Sequence, residues 1–256
     1  SVNMKTLKIS ITTVLVFLLA ITQINAQKLT AKDIIKKADE KNRGRTSKGT
    51  MSMTIVRPSW ERTIVMKNWS KGDDNFLIYI TEPAKEKGQV FLKVGKEMWN
   101  YVPTISRMIK IPPSMMMQSW MGSDFTNDDL VKQSSIVVDY KHTLLGEEVV
   151  NEQNCYKLEL IPLPDAPVVW GKIIAWVTVD GFNVWKNEYY DEDGFLQNIE
   201  NGYNLKKMGD RIIPTKFEMI PVDEEGKKTV MEILDVEYNA EIKDSFFSKQ
   251  NMKKVR

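Results

Sequence analysis

Cysteine and histidine each occur once among the 256 residues of this chain, which narrows the chemistry open to it. Cys155 has no partner for an internal disulfide, so the fold must be stable through packing alone. His142 has no second histidine with which to build a zinc site. A nucleophile pair of Cys155 and His142 is conceivable, but no motif supplies an oxyanion turn or an orienting partner. We therefore interpret Cys155 as a small strand residue and His142 as a structural or surface residue.

The common catalytic and nucleotide-binding motifs are also missing. The sequence contains no Gly-x-Ser-x-Gly elbow, no Gly-Lys-Ser/Thr phosphate loop and no His-Glu-x-x-His helix. The carboxylate pairs Asp73-Asp74 and Asp128-Asp129 do not predict an acid–base pair, because adjacent side chains diverge on a strand and on a helix. We expect a protein that is not an enzyme and that has no cofactor and no metal site.

A surplus of positive charge is lacking as well. The chain has 36 Lys and Arg against 34 Asp and Glu, and Lys5 and Lys8 are the basic residues among the first 26. The remainder is therefore formally neutral. Nucleic-acid binding depends on an excess of Lys and Arg, so we expect no nucleic-acid partner.

The N-terminal segment has the pattern of a secretory signal peptide. Two lysines precede an apolar run over residues 9–21, which is short for a membrane span, and Ala26 stands at a typical cleavage position. A retained membrane anchor is less consistent with the Ser and Thr residues of that run. We predict a signal peptide over residues 1–26, of which residues 1–3 are extraneous, and one domain over residues 27–256 outside the cytoplasm.

The rest of the chain indicates one helix followed by many strands. Thr30 precedes an amphipathic helix whose apolar side contains Ile34, Ile35 and Ala38. Period-two patterns follow from residue 49 onward, linked by turns such as Gly95-Lys96, Asp180-Gly181 and Asp193-Gly194. The prediction is a mostly β (α+β) fold with about ten or eleven strands in one large antiparallel sheet.

A methionine-rich segment of about 25 residues, from Ser106 to Leu130, interrupts this strand pattern. Methionine is flexible and polarisable, which suits a surface that repacks around variable apolar partners. One interpretation is an apolar core helix in which Met fills gaps. The other is an adaptable apolar binding site. The position between strands that need no connecting helix favours a lid or binding loop.

Several segments together resemble the outer membrane lipoprotein-sorting (LolA-like) periplasmic proteins, in particular their longer branch. The most specific segments are 99–107, 111–113 and 121–130, supported by 163–171, 190–195 and 242–247. The resemblance implies a strongly curved antiparallel sheet, a half-barrel, with an N-terminal helix and a helical lid over its concave face. It also implies a periplasmic carrier of lipid or lipoprotein acyl chains between the inner and outer membranes.

The resemblance places the lid at the methionine-rich segment and leads to a set of expected ligand contacts. The expected lipid-binding residues are Met115, Met116, Met117, Trp120, Met121, Phe125, Trp99 and Tyr101. The expected partners are acyl chains, an inner-membrane exporter of the ABC or resistance-nodulation type as donor, and an outer-membrane acceptor, with the protein acting as a monomer. An alternative hypothesis is an adaptor that docks onto an exporter without carrying lipid. A periplasmic hydrolase is a third hypothesis, which no nucleophile–base pair supports.

Overall fold

Strands dominate the computed structural model, which describes residues 29–131 and 135–256. Within these residues, thirteen strands form one antiparallel sheet in the order β6-β5-β4-β3-β2-β1-β13-β12-β11-β10-β9-β8-β7. The strands are β1 (Thr46–Arg57), β2 (Trp60–Lys71), β3 (Asn75–Glu82), β4 (Val90–Val94), β5 (Glu97–Val102), β6 (Arg107–Ile111), β7 (Tyr140–Val150), β8 (Gln153–Pro162), β9 (Lys172–Thr178), β10 (Val184–Tyr190), β11 (Leu196–Met208), β12 (Arg211–Pro221) and β13 (Lys228–Tyr238). The predicted signal peptide lies outside the described residues.

The sheet consists of two meanders, β1–β6 and β7–β13, in which each strand pairs with the next along the chain. The pairing of β1 with β13 joins them, with Met53 opposite Met231 and a bulge beside Met51. Within the described residues the fold is therefore a mostly β, open curved sheet, which confirms the predicted fold class.

Helix α1 (Ala31–Arg43) lies where the sequence predicts it. Its buried residues are Ala31, Ile34, Ile35 and Ala38, so the predicted apolar side is confirmed. The helix packs against β7 and β9 and against the short helix α3 (Ser135–Val138). It therefore covers part of the second meander.

The predicted strand count of ten or eleven is too low, and β6 shows one reason. Its five residues fall within the methionine-rich interruption, yet they pair with β5 in a regular antiparallel register. Four of the five side chains are exposed or half-buried, so the edge strand lacks the buried alternation by which a sequence indicates a strand. After β6 the chain forms 3-10 turns at Pro113–Met115 and Trp120–Gly122 and the helix α2 (Asn127–Val131).

The C-terminal segment packs on the face of β3–β5 that is opposite to α1 and the cavity described below. It contains a 3-10 turn at Asp244–Phe246 and the helix α4 (Lys249–Met252). Phe247, Met252 and Val255 join a buried cluster with side chains of β3 and β4. Within the described part of the chain, no helix combines the length and apolar character needed to cross a membrane.

Candidate functional site

A cavity of about 320 Å³ lies between α1, the segment after β6 and the inner face of the sheet. Strands from both meanders contribute to its wall, because alternate side chains of each strand point to the same face. The apolar lining consists of Ile35, Ala38, Met51, Met66, Phe76, Ile78, Phe125, Leu130, Ile136, Ile173, Val184, Ile213, Phe217, Met231, Ile233 and Val236. Its size and apolar character are typical of a site for a small or elongated apolar ligand.

Residues 112–131 and 135–139, which we call the lid segment, are the described part of the connection between the two opposite edges of the sheet. β6 forms one edge and β7 forms the other, so the connecting chain has to cross a face of the sheet. Phe125 and Leu130 line the cavity, which shows that the segment crosses on the inner face. Because of this topology, the lid segment lies over the cavity.

A buried ion pair holds the lid segment on the sheet. Arg57, at the end of β1, donates to Asp124 through Nη1–Oδ2 at 3.0 Å and Nη2–Oδ1 at 2.9 Å. The side chains of Arg57 and Asp124 are only 12% and 8% exposed. Thr229 of β13 donates to Asp124 Oδ2 at 2.6 Å and accepts from its backbone N–H at 3.0 Å. We call this group the Arg57–Asp124 latch.

The two arginines near the β1–β2 turn also hold a turn of unusual backbone geometry. Met121 and Gly122 have φ angles of 51° and 79°, both in the left-handed region. The Met121 carbonyl accepts from Arg62, which is also paired with Glu86, and the Gly122 carbonyl accepts from Arg57 at 2.9 Å. A left-handed non-glycine residue costs about 1–2 kcal/mol, so these contacts stabilise a turn that is unfavourable by itself.

Trp120 is the apolar anchor of the lid segment. Its side chain is fully buried and packs on Phe91 of β4, with ring centroids 5.1 Å apart. Its backbone N–H donates to the Phe125 carbonyl at 2.8 Å, which closes the turn that contains Met121 and Gly122. The anchor and the latch fix the same turn from two sides.

The structure brings only part of the predicted site together. Phe125 lines the cavity. Met116 and Trp120 are buried outside its lining, Met121 is half-buried, and Met115 and Met117 are exposed. Trp99 and Tyr101 pack with the C-terminal segment on the opposite face of the sheet, where Lys249 lies 3.7 Å above the Trp99 ring.

Sequence reasoning did not find the latch or most of the lining. Arg57 and Asp124 are 67 residues apart, and Arg57 lies in none of the segments that carry the family resemblance. The lining residues on the strands of both meanders follow the ordinary period-two pattern. This pattern shows which side chains face inward, but it does not show whether they pack against each other or line a cavity. The sequence marked two of these residues: Asp124 of the latch and Phe125 of the lining lie in segment 121–130, which carries part of the family resemblance.

The two residues of the conceivable nucleophile pair are kept apart by the strand register. Cys155 lies opposite Glu148, whereas His142 lies opposite Leu160 further along the same pair of strands. Burial raises the pKa of the Cys155 thiol to about 11, so the thiol is protonated at neutral pH. His142 Nε2 lies 2.8 Å from the Ile136 carbonyl, and burial lowers the pKa of its ring.

The cavity wall also has a polar part with two buried carboxyl groups. Asp129 of α2 accepts from Trp170 Nε1 at 2.8 Å and from the Thr126 N–H at 2.8 Å. Glu200 of β11 accepts from Tyr189 Oη at 2.8 Å and from Asn187 Nδ2 at 2.8 Å. Burial raises the pKa of both carboxyl groups, and the hydrogen bonds offset part of that rise.

Comparison with known proteins finds the same fold over most of the chain. A family model described as an uncharacterized protein matches residues 72–254, well over half of the chain. A LolA superfamily protein from Nitrosomonas europaea is 26% identical and superposes with a TM-score of 0.75, over 87% of this chain and 99% of its own.

The chain belongs to the family that this model describes, and it is similar to LolA superfamily proteins.

Two further solved structures share the LolA-like fold over 87% of this chain. A DUF1329 family protein from Desulfovibrio piger is 25% identical over 97% of its own length, with a TM-score of 0.79. A domain described as an outer membrane lipoprotein-sorting protein from Vibrio parahaemolyticus is 24% identical over 98% of its own length, with a TM-score of 0.78. No curated protein matches the sequence. The resemblance predicted from the sequence is confirmed.

Proposed function

We propose that this protein is a periplasmic carrier that binds lipid or lipoprotein acyl chains in the cavity and moves them between the inner and outer membranes. The observation that carries the proposal is an apolar cavity of about 320 Å³ beneath a lid segment that is latched to the sheet. Each buried methylene contributes about 0.8 kcal/mol, so an acyl chain gives substantial binding without covalent chemistry. The proposal therefore assigns a stoichiometric carrier and not an enzyme.

The proposal includes the route and the partners. Residues 1–26 direct export as a signal peptide, and residues 27–256 act as one monomeric domain. An inner-membrane exporter of the ABC or resistance-nodulation type loads the cavity, and an outer-membrane acceptor receives the cargo. Release follows when a partner displaces the lid segment, because the latch otherwise keeps the cavity covered.

The cavity supports the carrier over the exporter adaptor. An adaptor that binds no lipid has no need of space in its interior, and natural interiors are packed to about the density of organic crystals. A cavity lined by sixteen apolar side chains is typical of a ligand-binding protein.

Filling the cavity tests the proposal. Ile233 lines the cavity on β13, and its neighbour Leu234 is 53% exposed. Ile233→Trp places a large ring in the ligand space, whereas Leu234→Trp adds the same ring to the surface of the same strand. We expect mass spectrometry of the exported wild-type protein and of Leu234→Trp to find co-purified lipid, and Ile233→Trp to be depleted at least several-fold.

Two outcomes would count against the carrier. One is wild-type protein that is lipid-free when it is taken from its own periplasm and whose tryptophan fluorescence does not respond to added lipid. The other is equal lipid content in a folded Ile233→Trp variant, which would place the lipid outside this cavity.

A further inference from the structure

The polar part of the cavity wall consists mainly of hydrogen-bond acceptors. We call Asp129, Glu200 and Asn187 the acceptor cluster. The protein donors to its two carboxyl groups are an indole N–H, a backbone N–H, a phenol and an amide, all of them neutral. Among the described residues, no lysine or arginine donates to Asp129 or Glu200. When these groups are ionised, their negative charge is therefore met by hydrogen bonds but not by a cation.

Asn187 adds an independent observation. Its side chain is 5% exposed and lines the cavity, and its Nδ2 donates to Glu200 and, at 3.2 Å, to Tyr189 Oη. These bonds fix the amide so that Oδ1 is its remaining polar atom, and Oδ1 is buried without a hydrogen-bond partner. A buried acceptor without a partner is unfavourable, and a donor brought by a ligand would satisfy it.

The charged side chains that line the cavity are mostly acidic. Arg43 is the basic residue among the described lining residues, and it is already paired with Asp39 and Asp73. The acidic lining residues are Asp39, Asp73, Asp128, Asp129, Glu200 and Asp235. An anionic headgroup would lie against these carboxyl groups in a space of low dielectric, where like charges repel strongly.

We propose that the acceptor cluster binds the ammonium group of an amphiphile whose hydrocarbon chain occupies the apolar part of the cavity. This inference rests on the carrier function and specifies its cargo as a lipid with a cationic amine. An ammonium group has three donors and no acceptor, which complements Asn187 Oδ1 and two carboxylates. A metal ion fits less well, because no group of three acidic, histidine or cysteine side chains in the described residues has a metal-binding arrangement. The raised pKa values of Asp129 and Glu200 are consistent with carboxyl groups that lack a cationic partner until a ligand brings one.

Three ligands of equal chain length distinguish the contribution of the headgroup to the affinity from that of the hydrocarbon chain. Decylammonium, decanol and decanoate are titrated into lipid-stripped protein at neutral pH by isothermal titration calorimetry. We expect decylammonium to bind roughly tenfold to a hundredfold more tightly than decanol, as for one charge-assisted hydrogen bond in a buried site, and decanoate to bind most weakly. Binding of all three with equal affinity overturns the headgroup inference and leaves the carrier intact. Binding of none of them contradicts the carrier itself.

Isosteric variants test the residues. Glu200→Gln and Asp129→Asn remove charge with little change in volume, and we expect each to reduce the ratio of decylammonium to decanol affinity by about tenfold. Glu188→Gln is the matched control, because Glu188 lies on β10 and is paired with Lys186 on the other face of the sheet. A full preference for decylammonium in folded Glu200→Gln and Asp129→Asn would overturn the assignment. If Glu200→Gln does not fold, Asp129→Asn and the wild-type ligand series decide the question.

Discussion

At the scale of single residues, the Arg57–Asp124 latch is the contact on which closure of the lid segment depends most. Both side chains are nearly buried, and a buried ion pair that loses one partner leaves an uncompensated charge. We predict that Asp124→Asn lowers the free energy of unfolding by about 3–5 kcal/mol and speeds the release of bound lipid. Urea denaturation and stopped-flow displacement of a fluorescent alkylamine measure the two effects.

An exposed ion pair provides the control for the latch. Lys48 and Glu237 lie 2.8 Å apart with side chains 46% and 60% exposed. Exposed pairs contribute about 0–1 kcal/mol, so Lys48→Met should leave both stability and release nearly unchanged. Equal effects of Lys48→Met and Asp124→Asn would show that the latch has no special role.

Glu200 makes a separate residue-scale prediction about pH. Burial raises its pKa above the ordinary 4.5, so the folded state keeps this proton at pH values where the unfolded chain has lost it. The free energy of unfolding therefore falls as pH rises through this range, by at most about 1.4 kcal/mol per pH unit for one group. We predict a flatter profile for Glu200→Gln in urea denaturation between about pH 5 and about pH 8.

Glu148 supplies a control of opposite sign. A hydrogen bond from Lys157 lowers the pKa of this carboxyl group, so it is ionised in the folded and unfolded states throughout that pH range. Glu148→Gln should keep the wild-type slope. A wild-type slope in Glu200→Gln would mean that Glu200 does not titrate with a raised pKa.

At the scale of the elements, the pairing of β1 with β13 joins the two meanders, and Gly49 lies within it. A Cβ atom at Gly49 would lie 2.4 Å from the Asp235 carbonyl oxygen, closer than real Cβ contacts. We predict that Gly49→Ala shifts this part of the sheet and lowers the free energy of unfolding by about 1–3 kcal/mol. Hydrogen exchange should show the loss of protection first in β1 and β13.

Gly95 is the matched control for this element. It lies in the turn between β4 and β5 with a φ of 58°, and a Cβ atom at this position would have no neighbouring atom within 4 Å. Gly95→Ala should therefore cost only the local strain of about 1–2 kcal/mol and leave exchange in β1 and β13 unchanged. Loss of protection in β1 and β13 for both variants would contradict the specific role of Gly49.

Some of these elements can be predicted from the sequence, and others cannot. Helix α1, the hairpin at Gly95 and the strand position of Cys155 follow from local patterns of period and turn chemistry, and all are confirmed. Strand β6 does not follow from such a pattern, because this edge strand buries too few side chains to show the period-two alternation. Trp99 and Trp120 look alike in sequence, yet only the three-dimensional course of the chain decides that they lie on different faces of the sheet.

At the scale of the whole molecule, each meander is covered by a segment that belongs to the other. Helix α1 precedes the first meander but packs on β7 and β9 of the second. The C-terminal segment follows the second meander but packs on β3 and β4 of the first. Neither meander therefore buries its apolar surface without the other.

This exchange of covers predicts the result of cutting the chain in the lid segment. Met117 is 66% exposed, so a protease site inserted beside it is accessible. We predict that the nicked protein elutes as one species in size-exclusion chromatography under native conditions and separates into two fragments only in denaturant. Spontaneous separation in native buffer would show that the β1–β13 pairing and the exchanged covers do not hold the halves together.

The exchange of covers has a practical consequence. Two genes, one ending and one beginning near Met117, encode fragments that each lack a cover for their own strands and supply the cover for the other. Such fragments are suited to complementation: separately they remain unfolded, and together they rebuild the cavity. A split reporter made in this way gives a signal only when both halves reach the same compartment, so the fold itself supplies an assay for where in the cell the protein assembles.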